Sequence, residues 1–333
     1  MKRSAVALGL ACLLAVGVTW AAPTGFIYTA NERAESISQV QLDSGAVKTV
    51  KTDISPHNVQ VTPDGTRLLA VGVAAHGAHH GAAGAGSGQL WVFDTRALDK
   101  APVVIEAGEH PAHVVTDRNG DRAFVTDSAV NIVRVIDLQT KAETARIPTG
   151  AYPHGLRLSP DGKTLYVANM RGSSVSVIDV ATLKETGRIR VGKGPVQVGF
   201  SPDGQQAYVS LSATNQLGLI DTRQQRLVGK VAVGRTPIQM VATSAGLVYV
   251  ANQGSTQAPD QTVSVVDAAK KRVVKTLVTG KGAHGTAVSS DNAYVFVSNI
   301  EAGTFSVIDT ATQKVVAEHQ VGAGPNGISY QAP

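Results

Sequence analysis

Cysteine is almost missing from this chain of 333 residues: the single one is Cys12. If residues 1–21 are removed, no thiol is left for a disulfide, a zinc-thiolate site or a cysteine nucleophile. Aromatic residues are only 5% of the chain, and beyond residue 21 the one tryptophan is Trp91, so no stripe of basic and aromatic residues exists to stack bases. Only one long apolar run occurs, Ala5 to Val18, and at 14 residues it is shorter than the roughly 18 to 20 needed to span a bilayer. No second span is expected. Catalytic signatures are absent too: there is no nucleophile elbow, no Walker or dinucleotide loop and no His-Glu-x-x-His.

The apolar run follows Lys2 and Arg3 and ends in Thr19-Trp20-Ala21. That is the order of a signal peptide, with positive start, apolar middle and small residues at the cut. Residues 1–21 are therefore expected to be removed, leaving 22–333 as one periplasmic or secreted domain. Without Lys2 and Arg3 the formal charge falls from +5 to +3 (28 basic against 25 acidic residues). So mild a balance does not indicate nucleic acid.

What the chain does have is period. Gly108, Gly150, Gly192, Gly234, Gly280 and Gly322 are spaced 42, 42, 42, 46 and 42 residues apart, and Asp94, Asp137, Asp179, Asp221, Asp267 and Asp309 keep the same beat. One unit reads as four strands: Pro153–Leu158, Thr164–Asn169, Ser174–Asp179 and Glu185–Val191. Ser159-Pro160-Asp161-Gly162 links the first two as a turn, since proline presets φ, aspartate caps and glycine accepts positive φ. Six such units cover 56–322, and the two ends supply the strands of a seventh, with Pro325–Tyr330 as its first and Phe26–Asn31 as its second. The period predicts an all-β, seven-bladed β-propeller of four-stranded antiparallel blades, closed by pairing the N- and C-terminal strands.

Tyr166-Val167-Ala168-Asn169, Tyr249-Val250-Ala251-Asn252 and Phe296-Val297-Ser298-Asn299, each followed by a strand ending in aspartate, carry a family resemblance. The chain resembles exported seven-bladed YVTN-repeat propellers of the YncE kind over essentially the whole length after residue 21. The resemblance implies the fold and is nearly silent on chemistry. It also brings in DNA binding, which is not expected here because the lower-face turns mix acids with their lysines and arginines.

Strand order assigns faces. If the first strand of each blade is innermost, the fourth-to-first and second-to-third loops share one face, here called upper. Eight of the nine histidines fall on it; only His319 does not. The residue after the loop proline, or after Ala283 in its place, reads His57, Ala112, His154, Val196, Ile238, His284 and Asn326 around the ring. His57, His154 and His284 are thus candidate ligands of a divalent transition metal, copper or zinc. Asn326, His113, His110 and Glu109 are candidate ligand-binding neighbours. A second candidate metal segment is the insert carrying His76, His79 and His80, in a Gly/Ala-rich loop at 74–88.

The sequence therefore reads as a monomeric binding or scaffold module, whose upper face takes a metal, a small ligand or a protein partner. The alternative is a metal-assisted, lactonase-like hydrolase or lyase at the channel mouth, with Glu109 as base. The recurrent asparagines and aspartates at strand ends are expected to bond backbone groups of the following turns.

Overall fold

The computed structural model describes residues 22–75 and 87–333. The expected His76, His79 and His80 segment lies outside the described residues. Among the described residues the strands form seven four-stranded antiparallel sheets. Blade 1 joins Pro325–Gln331 to Phe26–Asn31, Ser36–Gln41 and Val47–Lys51. Pairing of Tyr28 with Ser329 and of Ile27 with Tyr330 closes the ring through the two ends of the chain. Blades 2 to 7 follow in order, with innermost strands Ile54–Val61, Pro111–Thr116, Pro153–Leu158, Pro195–Phe200, Pro237–Ala242 and Ala283–Val288.

Each interface between neighbouring blades has its own apolar cluster. Tyr166, Val175 and Val177 of blade 4 meet Val198, Ala207 and Val209 of blade 5. Tyr28 and Ile37 of blade 1 pack with Val59, Leu68 and Trp91 of blade 2, and Ile27 and Val40 pack with Phe296 and Phe305 of blade 7. Valine, isoleucine and aromatic side chains suit these pleated, buried faces. No helix among the described residues is long and apolar enough to cross a membrane.

The aspartates behave as expected: Asp179 accepts from the Thr182 amide and hydroxyl, both at 2.7 Å. The asparagines do not. Asn169 Nδ2 donates across the hairpin to Ser174 and Ser176 at 3.0 and 2.9 Å, and Asn31, Asn252 and Asn299 donate to hydroxyls at the matching positions. Their role is to tie the second strand to the third, under Gly322, Gly150, Gly234 and Gly280, where a Cβ would meet the amide.

Candidate metal centre at the channel mouth

In all seven blades the innermost strand carries a β-bulge just after the proline or Ala283, where two residues face one on the next strand. A bulge re-aims side chains. Here it places a second residue per blade at the mouth: Asn58, His113, Gly155, Gln197, Gln239, Gly285 and Gly327. Counting only the first bulge residue assigned Ala112 to blade 3 and made His113 a mere neighbour of the ligand set.

His57, His113 and His154, from three consecutive blades, each offer one nitrogen within 4.8 Å of the others, and they are the one such His/Cys/Asp/Glu group among the described residues. Their ring centroids stand 5.6, 5.4 and 4.9 Å apart, edge to face. His57 Nε2 and His154 Nε2 are 3.4 Å apart. Two imidazole nitrogens bound at 2.0 to 2.1 Å to one tetrahedral ion stand about 3.3 Å apart. His113 is looser, within 4.8 Å of the others, and its Nδ1 faces the Gln197 amide nitrogen at 3.3 Å, so as a third ligand it would have to move closer.

The outward nitrogens are tied down. His154 Nδ1 donates to the Val196 carbonyl at 3.1 Å, which leaves its Nε2 a bare lone pair. His57 Nδ1 lies 3.3 Å from Glu32 Oε1 and 3.1 Å from Asn326 Nδ2, and Asn326 Nδ2 donates to Glu32 Oε2 at 2.6 Å. Two proton arrangements fit these atoms. With its proton on Nε2, His57 donates to His154 and accepts from Asn326. With its proton on Nδ1, it donates to Glu32 and its Nε2 is freed, so that two lone pairs face one point. The second arrangement is that of metal-binding histidines, whose other nitrogen donates to a carboxylate or a carbonyl.

Electrostatics favour neutral rings at His154 and His113. Burial, then the charge of His57, pulls His154 down to about 3. Burial first, then His154 and His57, holds His113 well below the ordinary imidazole value. Burial would raise the Glu32 carboxyl, but bonds to His57 and Asn326 and the charge of His57 more than offset it and hold it at about 2. An ionised Glu32 at the edge of a site whose His113 and His154 rings stay neutral is a setting for a cation.

The remaining candidates divide. Asn326 is part of the network. His284 lies outside the three-imidazole group; its Nδ1 donates to the Asn326 carbonyl at 3.0 Å, and burial, then His57, lowers it to about 4. His110 is on the exposed rim with Nδ1 2.7 Å from Ser128 Oγ. Glu109 is exposed, and its backbone N–H donates to Asp127 at 3.2 Å. Sequence reasoning missed Glu32. It sits in the second-to-third loop of blade 1, on the upper face by the same strand order, but carboxylates were sought on the innermost strands and just before them.

Fold and mouth together define a seven-bladed propeller with an imidazole-lined channel entrance. The YNCE-like beta-propeller family model matches residues 101–271, just over half of the chain, and the chain belongs to that family. The model of the Cytochrome D1 heme domain matches residues 238–324. No curated protein matches in sequence. Among solved structures the chain is similar to hydrazine synthase of Kuenenia stuttgartiensis, at 21% identity and a TM-score of 0.70, covering 84% of this chain and 91% of that one. It is also similar to a functionally unknown protein of Desulfotomaculum acetoxidans, at 18% identity and a TM-score of 0.75 (93% and 100% covered). The periplasmic gluconolactonase PpgL of Pseudomonas aeruginosa matches at 17% identity and a TM-score of 0.71 (92% and 99% covered). At these identities the likeness is one of fold.

Proposed function

We propose that this protein is an exported binding module that holds one divalent transition ion, copper or zinc, at the upper mouth of its channel. His57 and His154 are the principal ligands, His113 the third, and Glu32 and Asn326 orient His57. One observation supports the reading: two Nε2 atoms lie 3.4 Å apart with His154 Nδ1 already committed to a carbonyl, a spacing bridged either by the N–H of a neutral His57 or, once that proton moves to Nδ1, by a metal ion. Nitrogen donors without thiolates suit copper and zinc over softer or harder ions. Export rests on the signal-like residues 1–21.

Binding without turnover is the preferred form, because Glu109 is exposed and Glu32 already accepts from Asn326 and faces His57. The test is a competition titration of residues 22–333 with zinc and copper, against the paired His57→Ala/His154→Ala variant and a His76/His79/His80→Ala variant. One ion per chain, lost in the first variant and kept in the second, is expected. Equal binding by wild type and the first variant overturns the site.

A further inference from the structure

The innermost strand that presents His154 at the upper mouth carries Arg157 three residues further on, about 10 Å down the channel. Arg157 lines an open cleft of about 450 Å³ on the lower face, together with Gln60, Thr116 and Arg118. Its one hydrogen bond runs from Nη1 to the Leu156 carbonyl at 3.1 Å, and no carboxylate among the described residues pairs with it. The acid that lines that cleft is spoken for: Asp117 takes Arg122 Nε at 2.9 Å and the amides of Asp121 and Arg122. Arg118 is positioned rather than loose, with its stem lying over Gly162 and its Nη1 donating to the Asp161 carbonyl at 3.4 Å.

A guanidinium carries five N–H donors in a planar fork that matches the oxygens of phosphate or carboxylate. A partly enclosed one without an acidic partner is costly unless an anion meets it. We propose that the lower end of the channel is a binding site for a small free oxyanion, held by Arg157 and assisted by Arg118 from the neighbouring blade. Burial alone pulls Arg157 down to about 10, with no acid to offset it, which agrees with this. The site is independent of the metal centre, because it faces the opposite side of the ring.

The experiment uses chelator-treated protein of residues 22–333, titrated calorimetrically with inorganic phosphate and separately with acetate at constant ionic strength. Wild type is expected to bind at least one of them. Arg157→Met is expected to weaken it tenfold or more, Arg157→Lys to restore it in part, and Arg118→Gln to weaken it a few-fold. A thermal melt of each variant reports whether it is folded. No binding of either anion by wild type at 10-fold excess over millimolar, or equal binding by folded Arg157→Met, overturns the proposal.

Discussion

His57 has two partners that compete for one proton, Glu32 on one side and His154 on the other. Glu32→Gln removes the charge that favours the proton on Nδ1, so metal affinity should fall 10- to 100-fold with the fold intact, as for other orienting carboxylates. A chelator-competition titration measures this; unchanged affinity would mean that Glu32 does not orient His57. The metal-free protein should also respond to acid. His154 and His284 are lowered to about 3 and about 4, so between those values and the usual 6.5 the unfolded chain binds more protons than the folded one. Their contribution to stability is complete above about 6.5 and is lost as pH falls towards 3. Glu32, lowered to about 2, acts in the same direction below its usual 4.5. The midpoint of thermal unfolding should therefore drop steadily from pH 7 to pH 4.5, and His284→Gln should flatten part of the slope; a midpoint independent of pH would contradict this. At this scale the sequence was partly legible. Proline spacing placed His57, His154 and Asn326 at the mouth. It placed His113 among the ligand-binding neighbours rather than the metal ligands, because only the first residue of each bulge was counted at the mouth.

Between neighbouring strands the repeated device is an amide under a glycine. Asn169→Ala leaves Ser174 without its donor and Ser176 with only the Gly150 amide, and should cost about 1–3 kcal/mol in urea unfolding. Blade 3 departs from the pattern. At the positions 42 residues before Asn169 and Ser176 stand Asp127 and Arg134, joined by Nε and Nη2 bonds of 3.0 and 2.8 Å, with the Asp127 side chain 0% and the Arg134 side chain 11% exposed. Arg134→Leu leaves the buried Asp127 carboxylate with only the backbone amides of Glu109, His110 and Ala129 and no countercharge, and should cost up to about 3–5 kcal/mol. The double change Asp127→Asn/Arg134→Ser installs the pair used by blade 4, and it should recover most of that loss in a double-mutant cycle. Equal loss in both variants would show that the site no longer tolerates the common pair. The repeat made this element readable as a strand end. The partner was not readable, because the hydroxyls that meet the amide lie five and seven residues away across a hairpin, where only strand register identifies them.

The ring as a whole was the most legible level, since a fixed period with strand fragments at both ends admits few other architectures. Closure depends on Pro325–Gln331 lying against Phe26–Asn31, with Ile328 in the cluster shared with blade 7. Removal of residues 325–333 should open an edge at Phe26–Asn31 and turn one cooperative calorimetric transition into a broad, aggregating one. A single sharp transition in the shortened chain would mean that closure is dispensable. Charge and composition gave no sign of nucleic acid and could not choose a ligand, because three imidazoles separated by 56 and 41 positions in sequence meet only when three blades are set side by side. The most direct test of the central claim is anomalous diffraction at the metal edge from crystals of zinc-loaded protein. One peak per chain is expected about 2.0–2.1 Å from Nε2 of both His57 and His154. A peak at the histidines of residues 76–80 alone, or no peak at the channel mouth, would contradict it.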